Sequence, residues 1–179
     1  MMEAIEDIPE QAILNGLSWE WETYGEYLNE IEKLNPAINL AGLVGHCATR
    51  TYVMGERAVD EDPNEEEIQQ IAELVGQSIK GGAVGFSSNR LPGHVLPDGR
   101  AIPGTFAKKD ELEAISMAVG DNTGLLQYVL NYSDLESEVS LIGEQGLLAE
   151  APVVFSAVFV SGDAGHHSCL LYTSDAADE

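Results

Sequence analysis

The chain has 179 residues, 44% of them hydrophobic, and its 31 acidic and eight basic side chains give a net charge of -23. This length and composition suit one globular unit with a sizeable core. The negative charge repels polyanions and argues against nucleic acid or an anionic membrane surface as a partner. No apolar run approaches the roughly 18 residues of a membrane span. Because two cysteines are too few for a disulfide framework, we expect a cytoplasmic protein.

Two helices are predicted before the first strand. The first lies around residues 8–14. The second covers residues 24–34, because Thr23 and Glu26 have the spacing of a capping box, with a hydroxyl at the N-cap and a carboxylate three residues later. Pro36 ends this helix, since the residue before a proline disfavours helical geometry.

Four apolar segments bounded by turn residues are predicted to be strands: residues 37–45, 83–88, 124–130 and 152–160. Helices are predicted between them: residues 64–80, with Asn64 and Glu67 as another capping box, residues 108–119, and a helix capped by Asp134. Apolar strands that alternate with helices form parallel sheets with crossover helices, an α/β fold. The pattern fits a (β/α) barrel or an open doubly wound sheet. Four strands cannot close a barrel, which needs eight.

Polar side chains follow the first predicted strand, at the edge where barrel enzymes keep their active sites. His46 ends the strand and precedes a short connecting segment closed by Gly55. It can orient a substrate, or it can be satisfied by neighbouring backbone. Arg50 can grip a substrate carboxylate bidentately, or it can pair with surface acids.

The other pocket candidates lie at the ends of the next two strands and in the loop of residues 89–104: Ser87, Ser88, Asn89, Arg90, His94, Gln127 and Asn131. That loop is too long to be a mere connector. Three of these candidates have an ordinary alternative role. Gln127 and Asn131 can instead satisfy backbone groups, and the loop histidine can simply face solvent.

Four stretches stand out by their order and spacing: NGLSWEWETYGEYL from Asn15, LVGH from Leu43, YVMG from Tyr52 and GGAVGFSS from Gly81. Together they resemble the D-aminoacylase family, the N-acyl-D-amino-acid deacylases of the metal-dependent amidohydrolase superfamily. The resemblance covers about residues 1–160. It implies an internal fragment of a (β/α)8 (TIM) barrel several hundred residues long. It also implies an N-acyl amino acid substrate and a divalent metal, usually zinc, in the full-length parent.

The family's metal ligands do not carry over to this chain. The His-x-His pair of the family's first strand has no counterpart in the sequence. Two further family histidines correspond here to Val129 and Ala157, neither of which can bind metal. His166 and His167 lie beyond the strand where the family places its ligands. We therefore expect no bound metal and no catalytic residue in this chain, only residues of a substrate pocket.

Residues 169–179 resemble a translated sequencing-library adapter, and we interpret residues 161–179 as a disordered, non-native tail after a partial barrel of residues 1–160. The main hypothesis is an N-acyl-D-amino-acid deacylase-like hydrolase of linear amides, present as an inactive fragment. The alternative is a small, non-catalytic α/β module that binds a ligand or a partner. A partial barrel leaves strand edges and helix faces uncovered, so the isolated chain is expected to be unstable or to aggregate.

Overall fold

The structure, a computed structural model, describes residues 8–156 and has an α/β fold. The helices are α1 (Glu10–Gly16), α2 (Tyr24–Lys33), α3 (His46–Met54), α4 (Glu65–Lys80), α5 (Lys109–Asp121) and α6 (Leu135–Ala149). Short 3-10 helices cover Gly55–Val59 and Tyr132–Asp134. The strands are β1 (Leu43–Gly45), β2 (Gly85–Asn89), β3 (Leu125–Val129) and β4 (Val153–Ser156). They form one parallel sheet in the order β1-β2-β3-β4.

The helices α4, α5 and α6 cover one face of this sheet. Alternate strand residues, among them Val44, Phe86 and Leu126, are buried in one core with apolar residues of these three helices. Neighbouring helices also pack on each other, α4 on α5 and α5 on α6. The strand order never reverses, so the sheet lacks the switch point of a doubly wound fold. Of the two predicted architectures, the arrangement is consistent with a segment of a barrel.

The helix starts that depend on local capping are confirmed. Thr23 accepts a hydrogen bond from the backbone N–H of Glu26, whose carboxylate accepts one from the N–H of Thr23 at 2.9 Å. Asn64 and Glu67 repeat this arrangement at the start of α4. Asp134 caps α6 as predicted. Each cap satisfies backbone N–H groups that have no partner within the helix.

The first strand and the segment after it differ from the predictions. Residues 37–45 were expected to form a strand, but only Leu43–Gly45 pair with β2. The first backbone contact between the two segments is the hydrogen bond from the N–H of Val84, just before β2, to the carbonyl of Gly42, so residues 37–41 have no strand partner there. His46 then begins a helix, α3, where the sequence indicated only a short connection. This helix ends at Gly55, which has a φ of 62°.

Smaller differences concern the strand boundaries. The second strand runs from Gly85 to Asn89, two residues later than predicted at its start and one residue later at its end. The described part of the fourth strand, Val153–Ser156, lies inside the predicted 152–160. Ala157, His166, His167 and the predicted tail lie outside the described residues. No helix within residues 8–156 is long and apolar enough to cross a membrane.

Candidate functional site

His46 is buried on the helix-covered side of the sheet, at the junction of β1 and α3. Its Nδ1 lies 2.9 Å from the hydroxyl of Ser88, and its Nε2 lies 2.9 Å from Oε1 of Glu111. Its ring also packs against Phe86, with 5.2 Å between the ring centroids. The partners of this histidine are therefore side chains of β2 and α5, and not the neighbouring backbone that the ordinary alternative supposed.

Arg50 extends this hydrogen-bonded chain from the other side of Glu111. Its Nη1 donates to Oε2 of Glu111, its Nε to the carbonyl of Ala58 at 3.2 Å, and its Nη2 to the carbonyl of Glu61 at 2.7 Å. All three guanidinium nitrogens are thus engaged within the chain, and the residue is 5% exposed. This arrangement resembles a structural ion pair more than a fork held ready for a substrate carboxylate.

The loop between β2 and α5 closes over the imidazole through a glycine. Gly104 has a φ of 91°, and a Cβ on it would lie 2.7 Å from Nδ1 of His46. The next residue, Thr105, is buried and lies 3.5 Å from the amide nitrogen of Asn89. Glycine is required here because an L side chain would be strained and would collide with the ring.

Arg90 and Asn89 each keep a buried polar atom without a hydrogen-bond partner among the described residues. Nε of Arg90 donates to both carboxylate oxygens of Glu138, at 2.9 and 2.8 Å, while its Nη1 has no acceptor. The side-chain oxygen of Asn89 has no donor. Such orphaned groups are uncommon in native proteins, since each forfeits the hydrogen bond it made with water.

Ser87 and Gln127 lie on the other face of the sheet, which α4, α5 and α6 leave uncovered. The hydroxyl of Ser87 bonds to the side chain of Gln127, whose amide nitrogen lies 3.3 Å from the hydroxyl of Ser156. Val129 occupies the same face at the carboxyl end of β3, where the resemblance would place a ligand histidine. Ser87, Gln127 and Ser156 form what we call the uncovered row, which is neutral and partly open to solvent.

The remaining candidates lie apart from these groups. His94 is half-buried in the loop, where its carbonyl accepts a hydrogen bond from the N–H of Ile102. The side chain of Asn131 accepts one from the N–H of Ser133 at 3.1 Å, so it caps the turn before α6. Neither residue is brought beside His46.

A second buried polar group joins β3, α5 and α6. The hydroxyl of Ser116 lies 2.7 Å from the side-chain oxygen of Gln145, and it also bonds to the phenol of Tyr128. Burial raises the pKa of Tyr128 to about 12, although the hydrogen bond to Ser116 lowers it. The group is fully inside the core and holds the two helices to the sheet.

An open cleft of about 580 Å³ lies beside β1, and none of the predicted pocket residues lines it. The segment before β1 lines one wall of this cleft with the aromatic side chains of Trp21, Tyr24 and Tyr27. The helix α3 contributes Tyr52. Trp21 also stacks on Trp19, with 5.6 Å between the ring centroids.

Glu111, Glu138 and Gly104 complete these polar groups but were not among the predicted site residues. Both glutamates are in the first turn of a helix, where an acid is expected for its interaction with the helix dipole. In a chain with 31 acidic residues, nothing in the sequence marks these two as buried. The sequence contains only a weak indication of the positive φ of Gly104, namely the Pro-Gly pair with Pro103, which is typical of a turn.

The described residues do not fit a metal centre. Within residues 8–156, no three side chains of histidine, cysteine, aspartate or glutamate converge as ligands would. Both ring nitrogens of His46 already have partners in the protein.

Comparison with known proteins finds longer relatives. The chain is 29% identical over 148 residues to uncharacterised proteins of Mycobacterium bovis and Mycobacterium tuberculosis, covering 77% of this chain and 24% of each relative. It is 26% identical over 148 residues to an N-acyl-D-glutamate deacylase of Alcaligenes xylosoxydans xylosoxydans, covering 81% of this chain and 26% of that enzyme. No protein-family model and no solved structure matches. The chain thus spans about a quarter of the length of the curated relatives it matches.

Proposed function

We propose that this chain is part of a hydrolase that cleaves the linear amide bond of N-acyl-D-amino acids. The observation that carries the proposal is the similarity to an N-acyl-D-glutamate deacylase over 148 residues. A parallel sheet wound in one direction, with polar side chains at the carboxyl ends of its strands, supports it, because barrel hydrolases build their sites at that edge.

In this hydrolase, the segment would supply one wall of the substrate pocket. The uncovered face at the ends of β2 and β3 would form that wall, with Asn89 as the direct contact. Its side-chain oxygen is buried and has no donor within residues 8–156, so the N–H of a substrate amide would satisfy it once the side chain turns toward the uncovered face. Ser87 and Gln127 lie further down the same face and would contact the substrate's other polar atoms. Activation of water is not assigned to any residue of this segment.

The experiment uses a protein of the relatives' full length that contains this segment. We would incubate it with N-acetyl-D-glutamate or N-acetyl-L-glutamate, repeat the assay with other N-acetyl-D-amino acids, and measure the released amino acid by chiral chromatography. We expect release of D-amino acids and no release from the L substrate. A folded protein that releases none of the D-amino acids would contradict it.

A substitution then tests the contribution of Asn89. The change Asn89→Ala should raise KM roughly tenfold, as expected for one lost hydrogen bond to a buried partner. The matched control is Asn122→Ala, because Asn122 lies before β3, at the opposite edge of the sheet, and bonds to the carbonyl of Ala118. Equal kinetic constants for the two variants would show that Asn89 does not contact the substrate.

A further inference from the structure

Four polar side chains from three elements form one buried chain that the proposed pocket does not use. Arg50 and His46 come from α3, Ser88 from β2 and Glu111 from α5. Their exposed fractions are 5%, 2%, 1% and 0%, so none of them can contact a substrate in this state. A buried polar group of this kind is costly unless it is fully satisfied, and satisfied networks fix the elements that supply them.

The hydrogen bonds define where the proton of His46 lies. Glu111 faces the guanidinium of Arg50, so its carboxylate acts as an acceptor. Nε2 of His46 must therefore donate to Oε1 of Glu111, 2.9 Å away. In the neutral ring, Nδ1 is then the acceptor, and the hydroxyl of Ser88 donates to it at 2.9 Å. Each partner thus holds one side of the ring.

The orientation of that ring matters because a loop rests on it. The alpha carbon of Gly104 lies so close to the imidazole that a Cβ would be 3.0 Å from its Cε1. Behind Gly104, the N–H of Ala107 donates to the Gly104 carbonyl, and the hydroxyl of Thr105 donates to the carbonyl of Ile102. If the imidazole turns, its edge enters the space that this backbone occupies.

We infer that Arg50, Glu111, His46 and Ser88 are a positioning network that holds the loop of residues 90–108 onto the carboxyl ends of β1 and β2. The network holds His46 with its Nε2–H on Glu111 and its Nδ1 on Ser88, and the ring held in this way supports Gly104. Loss of the Ser88 hydrogen bond frees the ring and loosens the loop while the core stays intact. All of these contacts lie within the chain, so the network would hold the loop whether or not the proposed hydrolase activity is found.

The first test compares two buried serines in the full chain by amide hydrogen exchange. Ser88→Ala and Ser116→Ala each remove one fully buried hydroxyl, but Ser116 bonds to Gln145 and Tyr128, away from the loop. In Ser88→Ala, the amides of Thr105 and Ala107 should exchange roughly tenfold faster relative to that of Leu126 in β3. Ser116→Ala should leave this ratio unchanged. An unchanged ratio in Ser88→Ala, or the same rise in both variants, overturns the inference.

The second test measures the ring nitrogens of His46 in the unsubstituted protein. Nitrogen-15 spectra of the imidazole rings distinguish a protonated from an unprotonated ring nitrogen, and His94, which lies outside the network, serves as the reference ring. We expect His46 to show a protonated Nε2 and an unprotonated Nδ1 as a single tautomer, with the signal assigned by its loss in His46→Gln. A protonated Nδ1, or the averaged signals of a ring exchanging between tautomers, overturns the inference.

Discussion

Two adjacent serines of β2 show how differently the two faces of the sheet use the same side chain. Ser88 faces the helices, is fully buried, and forms a hydrogen bond with Nδ1 of His46 through its hydroxyl. Ser87 faces the other way, is partly exposed, and bonds to the amide of Gln127. The covered face therefore holds a polar group that is permanently occupied, whereas the uncovered face holds one that solvent or a ligand can reach.

The difference lies in charge as well as in access. The covered side carries two buried ion pairs, Arg50 with Glu111 and Arg90 with Glu138, each joining elements far apart in the sequence. A buried charge without a partner costs on the order of 3–5 kcal/mol. Assemblies of the elements that separate these pairs are therefore disfavoured. The uncovered row is neutral and can exchange its hydrogen bonds at little cost. The covered side thus fixes how the elements assemble, and the uncovered side is the face on which the proposed substrate pocket would lie.

The largest effect expected from this contrast follows from Glu111→Ala. It leaves the buried guanidinium of Arg50 unpaired and removes the acceptor of His46, so the free energy of unfolding should fall by about 3–5 kcal/mol. Urea unfolding followed by circular dichroism measures it. Glu113→Ala is the control, since that side chain on the same helix is 42% exposed, and it should cost less than about 0.5 kcal/mol. Equal costs for the two variants would show that the covered side is not held by its charges.

A comparison of two glycines isolates the contact between loop and imidazole. Gly104 and Gly99 both have positive φ, 91° and 88°, but a Cβ on Gly99 would meet nothing within 4 Å. Gly99→Ala should therefore cost about 1 kcal/mol from backbone strain alone. Gly104→Ala should cost about 2–3 kcal/mol, because the methyl group also collides with His46. Thermal unfolding of both variants measures the difference, and equal shifts would mean that the loop does not rest on the ring.

Alkaline pH tests the burial of Tyr128. Because burial raises the pKa of this phenol to about 12, the folded state holds its proton more tightly than the unfolded state does. The resulting stability is fully present below about pH 10 and is lost as the pH rises through about 12. In Tyr128→Phe, the fall in unfolding free energy over this range should be smaller by on the order of 2 kcal/mol. The half-buried Tyr27→Phe is the control, and the same reduction in both variants would refute the assignment.

Local signals in the sequence predicted the elements that depend on local contacts. The capping boxes at Thr23 and Asn64 involve residues three apart, and both helices begin where the sequence indicates. The length of β1 depends instead on how much backbone β2 offers, which no pattern within residues 37–45 records. The four parallel strands and their crossover helices were predictable for another reason: apolar strands alternate with helices along the whole sequence, and this alternation is typical of a parallel sheet.

The site was only half predictable, for a similar reason. His46 and Arg50 are visible as polar residues after an apolar run, but Glu111, the partner of both, is 65 and 61 residues away. The helix α3 did have a signal: its buried residues His46, Thr49, Arg50 and Met54 recur at helical spacing. This spacing also explains why the two candidate residues point to the same partner, on the covered side.

The smallest expected effect compares two glutamines, one on each side of the sheet. Gln145 is fully buried with Ser116, so Gln145→Leu leaves that hydroxyl without its acceptor and should cost about 1–2 kcal/mol. Gln127→Leu, in the uncovered row, should cost less than about 0.5 kcal/mol, since water can replace its bonds to Ser87 and Ser156. The effects on KM of the proposed hydrolase should have the opposite order from the effects on stability: only Gln127→Leu should raise KM. If Gln127→Leu destabilises the protein as much as Gln145→Leu does, the uncovered row is part of the scaffold, and a pocket on that face would have to be built from other residues.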